Sequence, residues 1–219
     1  MNPNRPILIL ARAATACVLV FAAIIALEHA LVPRLEPIDH MVSEYANAGG
    51  LAGAAAVVAL LAWSTSLVFT TLLTAHAAME KGGAWLLWAM SGLILLAALG
   101  LVVAALFPTQ AVRGVRPRGV SPTSAGQLHD LGGSLAQVAI FLAVLGSVWA
   151  VRWSRSLRCI PLAAIVCALI LGPMLAVFGT EARGLRQRTL IAVACTWELG
   201  LLSTLASRKR PRSHTSPTG

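Results

Sequence analysis

The side chains of this sequence that are best suited to chemistry lie mainly between long apolar runs or close to their ends. Histidine and carboxylate side chains can transfer protons or bind a divalent metal, and serine can act as a nucleophile when a base activates it. Arginine can bind a phosphate or carboxylate through two parallel hydrogen bonds. The candidate ligand-binding residues are His40, Ser43, Glu44, His129, Asp130, Arg183 and Arg188. This set is compatible with more than one chemistry.

Three kinds of site are open to these residues. The arginines could hold an anionic or lipid head group. A divalent metal such as zinc, if one is bound, would take His40, His129 and Asp130 as ligands and would activate water. Ser43, together with a histidine and an acid, could form an acyl-transfer site. No spacing among them is diagnostic of an enzyme, so we expect no cofactor and favour a non-catalytic role.

Each kind of site also has a structural alternative. His129 and Asp130 could form a buried hydrogen-bonded pair that fixes a helix end. Ser43 could cap the segment that leads into the second apolar run, with Glu44 supplying negative charge near that helix start. Arginine accounts for 15 of the 17 basic residues throughout the chain, so the arginines outside the membrane could reflect composition alone.

The elements that must position these side chains are apolar helices. A mean hydropathy of +0.80 and a charged fraction of 11% exclude an ordinary soluble protein. The six apolar windows are Ile7–Val32, Gly50–Ala78, Trp85–Leu106, His129–Val151, Cys159–Phe178 and Thr189–Ala206. Each is close to the ~20 residues that cross the hydrocarbon layer as a helix, and far too long for a barrel strand. The sequence therefore predicts an all-α polytopic bundle of six transmembrane helices within a domain over residues 1–206.

The basic residues indicate topology rather than nucleic-acid binding. A formal charge of +9 would suggest nucleic acid in a soluble chain, but here the basic residues lie at the ends of apolar windows. With six spans both termini share a side, which carries ten basic residues against seven on the other. We therefore expect a multi-pass protein of the cell membrane with cytoplasmic termini, membrane lipids as partners and no nucleic acid. Residues 207–219 are predicted to form a basic, disordered cytoplasmic tail.

Polar side chains also fall within or beside the apolar windows. Asp130 begins a series with helical spacing down the fourth window, and a carboxyl lies deep in the sixth. Because lipid offers these groups no hydrogen bonds, we expect them to face other helices. The polar residues predicted to be buried in this way are Ser134, Gln137, Gln187 and Glu198.

The alternation of six helices puts the loops that hold the histidines and most acids on one side of the membrane. We therefore expect a polar pocket that opens toward the outer leaflet. The leading hypothesis is an integral membrane protein that binds or passes a small anionic or lipid head-group ligand. The alternatives are a metal-dependent intramembrane hydrolase and a structural subunit of a membrane complex.

Four short motifs occur in a fixed order along the chain. They are Asp39-His40 with Val42-Ser43-Glu44-Tyr45, then Leu106-Phe107-Pro108-Thr109, then Ser124 through His129, and then Gly184-Leu185 with Gln187-Arg188. In this order, and over all but the tail, the chain resembles the bacterial and archaeal membrane family catalogued as domain of unknown function 998. The resemblance implies a six-helix inner-membrane bundle with no established reaction. Its pattern often has an acid after the Phe-Pro pair, where this chain has Thr109-Gln110, which weakens any metal site there.

Overall fold

The structure of the chain is a computed structural model that describes residues 5–82, 84–177 and 182–207. The predicted tail lies outside these residues, except for Ser207. The helices in chain order are α1 (Arg5–Leu31), α2 (Val42–Tyr45), α3 (Gly50–Glu80), α4 (Trp85–Leu106), α5 (Ser124–Ala150), α6 (Cys159–Val177) and α7 (Arg183–Ala206). The all-α prediction is confirmed.

The long helices are those of a membrane protein. In the described part of the chain, five are long and apolar enough to cross a membrane, namely α1, α3, α4, α5 and α7. Helix α6 is apolar over the shorter stretch Cys159–Ile170. Helix α2 is a single turn between α1 and α3 and adds no span. The six predicted windows thus correspond to α1 and α3–α7, and the chain is a multi-pass membrane protein.

Two helices begin earlier than their apolar windows. Helix α5 starts at Ser124 rather than at His129, and α7 starts at Arg183 rather than at Thr189. Hydropathy detects the apolar part of a helix and misses polar first turns. In α5 the side chain of Thr123 caps the first turn by accepting a backbone N–H at 3.1 Å. His129, Asp130, Arg183 and Arg188 therefore lie within helices, and the helix geometry sets the direction of each side chain.

The packing is closest between α4 and α5. Helix α4 lies between α3 and α5, α1 packs against α3, and α7 contacts α1, α3 and α6. A Cβ atom added to Gly100 would lie 2.6 Å from the carbonyl oxygen of Gly132, so only small residues allow this crossing. Helix α5 has far less contact with α6 and α7. A gap remains on that side of the bundle.

The polar series on α5 does not face α4. The buried face of α5 consists largely of small residues, and it includes Gly126, His129, Gly132, Ala136 and Ala139. Ser134 and Gln137 are exposed, as is Asp130. Ser134 and Gln137, which were predicted to be buried, are thus exposed on the side of α5 that faces away from α4. The reason is that close packing selects the small-residue face of a helix, which turns the polar face away from α4.

Candidate functional site

Three segments meet at one end of the bundle, which we call the outer end after the predicted topology. They are residues 32–49, residues 107–123 and the first turns of α7. The backbone N–H of Leu185 donates to the carbonyl oxygen of Ile38 at 2.9 Å, and side-chain contacts join the remaining segments. We call the polar residues that make these contacts, through their side chains or, for His40, through its carbonyl oxygen, the outer cluster: Glu28, His40, Glu44, Arg183, Gln187 and Arg188.

Glu44 holds the connection between α4 and α5. Its buried carboxylate accepts backbone N–H groups from Met41 at 3.1 Å, Arg113 at 2.8 Å and Gly114 at 2.7 Å. Arg113 and Gly114 have positive φ angles of 53° and 70°, so their turn presents both N–H groups to one anion. A carboxylate with three such donors is already satisfied. Glu44 is therefore a structural anchor in this chain.

Arg188 is bound by the protein itself. Its Nη1 atom donates to the carbonyl oxygens of Pro37 at 3.0 Å and His40 at 2.6 Å. Its Nη2 atom lies 3.6 Å from Oε2 of Glu28, and its guanidinium carbon lies 5.3 Å from the centre of the Tyr45 ring. The side chain is only 16% exposed. These contacts leave little of the guanidinium open to a ligand.

Arg183 and Gln187, on the first turns of α7, bond to the two neighbouring segments. Arg183 Nη1 donates to the carbonyl oxygen of Gly114 at 2.7 Å, beside the turn that Glu44 holds. Gln187 Oε1 accepts the backbone N–H of Val42 at 2.8 Å and so satisfies a donor at the start of α2. Both side chains thus tie α7 to the outer end.

The side chain of His129 bonds to carbonyl groups at the end of α4. Its Nδ1 atom lies 2.9 Å from the carbonyl oxygens of both Ala104 and Phe107. Carbonyl oxygens only accept, so the neutral ring carries its proton on Nδ1 and leaves Nε2 as an acceptor. The hydrogen bonds of His129 go to α4, and Asp130 is exposed. The predicted pair between His129 and Asp130 is therefore not the contact that fixes this helix end.

The three candidate metal ligands do not converge. His40 is buried with Nδ1 3.3 Å from the carbonyl oxygen of Glu36, whereas Asp130 is exposed. In the residues that the structure describes, no group of three or more His, Cys, Asp or Glu side chains could hold a metal ion. The structure does not bring His40, His129 and Asp130 together as a ligand set.

A cavity of about 470 Å³ lies between α5 and helices α3, α4, α6 and α7, where α5 packs loosely. Its walls are mostly apolar, and among the described residues none of those that line it is Arg, Lys, Asp or Glu. Val138 of α5 and Leu169 of α6 line the cavity and are exposed, so among the described residues the cavity is open between these two helices. The polar side chains that line it are Ser43, His129, Gln137 and Gln187.

Beside the cavity, α7 carries the fully buried Glu198. The indole of Trp63 lines the cavity and donates its N–H to Oε2 of Glu198 at 3.0 Å. The hydroxyl oxygens of Ser66 and Thr70 lie 2.7 Å and 2.9 Å from Oε1. Three side chains of α3 thus hold one carboxyl group of α7 inside the bundle.

Comparison with known families gives a decisive match. Residues 15–204 match the family described as "Protein of unknown function (DUF998)". The chain belongs to the DUF998 family. No curated protein and no solved structure matches it. The family description names no activity.

The motifs that carry the DUF998 resemblance contact one another at the outer end. Residues 39–45 bond to residues 184–188 through Arg188 and Gln187. Residues 106–109 bond to residues 124–129 through His129. In this chain the motifs therefore supply hydrogen bonds that hold together the segments at the outer end.

Two residues of this region were not among the predicted site residues. Glu28 is 1% exposed, and no described residue donates a hydrogen bond to either of its carboxylate oxygens. A carboxyl inside an apolar window is costly, and that signal could have identified it. Tyr45 is fully buried, and this burial raises the pKa of its phenol, which donates to the carbonyl oxygen of Leu35 at 2.5 Å. Nothing local in the sequence marks that contact.

Proposed function

We propose that this DUF998 protein binds one lipid-like molecule, with its apolar chain in the cavity and a small uncharged polar group at the outer end. The observation that carries the proposal is the cavity itself. Its volume of about 470 Å³ lies within the range of roughly 300–1,000 Å³ that is typical of ligand sites. Its sideways opening between α5 and α6 would admit a ligand directly from the surrounding lipid.

The polar lining supports a head group that both donates and accepts hydrogen bonds. His129 offers Nε2 as an acceptor, because its Nδ1 proton is directed at the end of α4. Gln187 Oε1 is bonded to Val42, so its amide N–H groups are the part left to donate. Ser43 supplies a hydroxyl that can do either. A hydroxyl or an amide group fits this combination.

The distribution of charge favours an uncharged head group over an anionic one. Arg183 and Arg188 were the candidates for holding an anion, but both donate to backbone carbonyl oxygens. No charged side chain of the described residues lines the cavity. Burying an anion without a cationic partner would cost several kcal/mol. Of the two ligand classes predicted from the sequence, a small anion and a lipid head group, we therefore retain the lipid head group.

The length of the cavity suits one apolar chain that starts at the outer end and reaches past the membrane centre. From His129 to Val144, which both line the cavity, α5 rises about 22 Å at ~1.5 Å per residue. The hydrocarbon layer is roughly 30 Å thick, so the cavity would extend from the predicted outer surface past the membrane centre. The polar group would then lie near the outer leaflet surface.

Native mass spectrometry of the purified protein in detergent tests the proposal. We expect a lipid of one class to remain bound to the wild-type protein. Gly133 lines the cavity and has nothing within 4 Å of an added Cβ, so Gly133→Phe should fill the space and remove the lipid. Gly146 is equally open but does not line the cavity, so Gly146→Phe is the matched control.

Two results would contradict lipid binding. The first is a wild-type protein that carries no lipid after mild purification and takes none up from phospholipid vesicles. The second is an equal lipid content in Gly133→Phe, Gly146→Phe and the wild type. Thermal unfolding of both variants checks that any loss reflects the filled cavity and not unfolding.

We further infer that the protein resides in the cell membrane with both termini in the cytoplasm, on the excess of ten basic residues against seven. Val120 is exposed in the connection between α4 and α5, whereas the exposed native Cys159 lies at the opposite end of the bundle. A membrane-impermeant maleimide should label Val120→Cys in intact cells and leave Cys159 unlabelled. Labelling of Cys159 without labelling of Val120→Cys would show that the opposite topology is correct.

A further inference from the structure

Glu198 is a carboxyl group inside the membrane with no cation beside it. It is 0% exposed, and among the described residues no Lys, Arg or His lies within ion-pair distance. A bare carboxylate at such a depth is unfavourable unless it is neutralised. Its three hydrogen-bond donors on α3 are all uncharged. The remaining way to neutralise the group is a proton.

The hydrogen-bond geometry accommodates that proton without movement of heavy atoms. Ser66 Oγ lies 2.7 Å from Oε1 of Glu198 and 2.9 Å from the carbonyl oxygen of Ala14. Thr70 Oγ1 lies 2.9 Å from Oε1 of Glu198 and 3.0 Å from the carbonyl oxygen of Ser66. Each hydroxyl has one proton and two acceptors within reach. When the acid is ionised both hydroxyls can donate to it, and when it is protonated it can donate to one of them, which then turns to its carbonyl.

The groups that lie near Glu198 come from α1, α3 and α7 itself. From α1 the thiol of Cys17 interacts with it, and from α7 itself the thiol of Cys195. Helix α3 faces it with Trp63, Ser66 and Thr70. Helix α6, which also packs on α7, contains no charged residue.

We propose that Glu198 is a proton-binding site within the membrane and that its protonation is linked to the filling of the adjoining cavity. The link is Trp63, whose indole lines the cavity while its N–H donates to Glu198. An apolar chain in the cavity would replace water beside this indole and would favour the uncharged, proton-bound acid. The linkage rests on the proposed lipid binding, whereas the proton site does not.

Dicyclohexylcarbodiimide, an apolar reagent that adds to protonated carboxyl groups, tests the proton site. Peptide mass spectrometry over a series of pH values should find the label on Glu198, with a fraction that falls as pH rises. Glu198→Gln should lose that label and keep wild-type thermal stability, since an amide is a neutral replacement of the protonated acid. Glu28→Gln, at another buried carboxyl, should retain the label on Glu198. The absence of label on Glu198 at every pH, or an unchanged pH dependence of unfolding in Glu198→Gln, would overturn the proton site.

The linkage is tested by the same labelling in the cavity variants. Phe at position 133 takes the place of the ligand, so the pH at half-maximal labelling should be higher in Gly133→Phe than in Gly146→Phe from which bound lipid has first been removed with detergent. Initial labelling rates are compared, because the midpoint of their pH profile does not depend on how fast the reagent enters. Equal midpoints would overturn the linkage. If the protein binds no lipid but Gly133→Phe still shows the higher midpoint, the proposed lipid binding is wrong and the link between the cavity and Glu198 stands.

Discussion

Replacement of Glu44 tests whether the outer cluster is structural. The carboxylate accepts three backbone N–H groups, two of them from the turn at Arg113 and Gly114. A buried donor left without a partner costs about 1–3 kcal/mol, and water can reach part of this turn because Arg113 is 63% exposed. We therefore expect Glu44→Ala to lower the free energy of unfolding by about 3 kcal/mol. Glu44→Gln should lose about 2 kcal/mol, because its amide N–H₂ would face a backbone N–H.

The assay combines unfolding in detergent micelles with limited proteolysis. Release of the turn should make the bond after Arg113 a faster trypsin site in both variants than in the wild type. Glu36→Ala is the matched control, because Glu36 lies in the same connection as Glu44 and is exposed. We expect it to stay within about 0.5 kcal/mol of the wild type, as surface substitutions usually do.

A particular result would refute this reasoning. If Glu44→Ala is as stable as Glu36→Ala and its turn is cut no faster, the three hydrogen bonds do not anchor the connection. Glu44 would then be available again as a ligand-binding group. Loss of bound lipid from a fully stable Glu44→Ala protein would support that role directly.

Three further substitutions and one control test the packing. Arg188→Lys keeps the charge but cannot reach both carbonyl oxygens that Arg188 bonds, so thermal unfolding should show a loss of about 2 kcal/mol. Gly100→Ala places a Cβ 2.6 Å from a backbone oxygen of α5 and should cost about 1–3 kcal/mol, whereas Gly92→Ala meets open space on the same helix and should be neutral or slightly stabilising. Ser147→Ala removes the acceptor, at 3.0 Å, of the buried Trp197 N–H and should cost about 1–2 kcal/mol in chemical unfolding.

The predicted site residues illustrate why polar roles are hard to read from a sequence. Glu44, Arg183 and Arg188 are suitable ligand-binding types, yet each bonds to backbone groups of a distant segment. A sequence shows that a side chain can form hydrogen bonds, but it does not show which carbonyl or N–H group lies opposite. His129 was predicted near the pocket and does line the cavity, although its partners belong to α4.

The sequence by itself determined the helical architecture, because every apolar window must satisfy its backbone hydrogen bonds internally in lipid. It also indicated which connections share an end, since consecutive spans must alternate in direction. Only the tertiary structure decided which polar groups are already bonded and where space remains. The close contact of Gly100 with Gly132 places α5 on α4 and turns Ser134 and Gln137 away from that interface. The cavity lies where α5 stands apart from α6 and α7. Its position depends on which faces of the helices meet, and the sequence of a single apolar window does not contain that information.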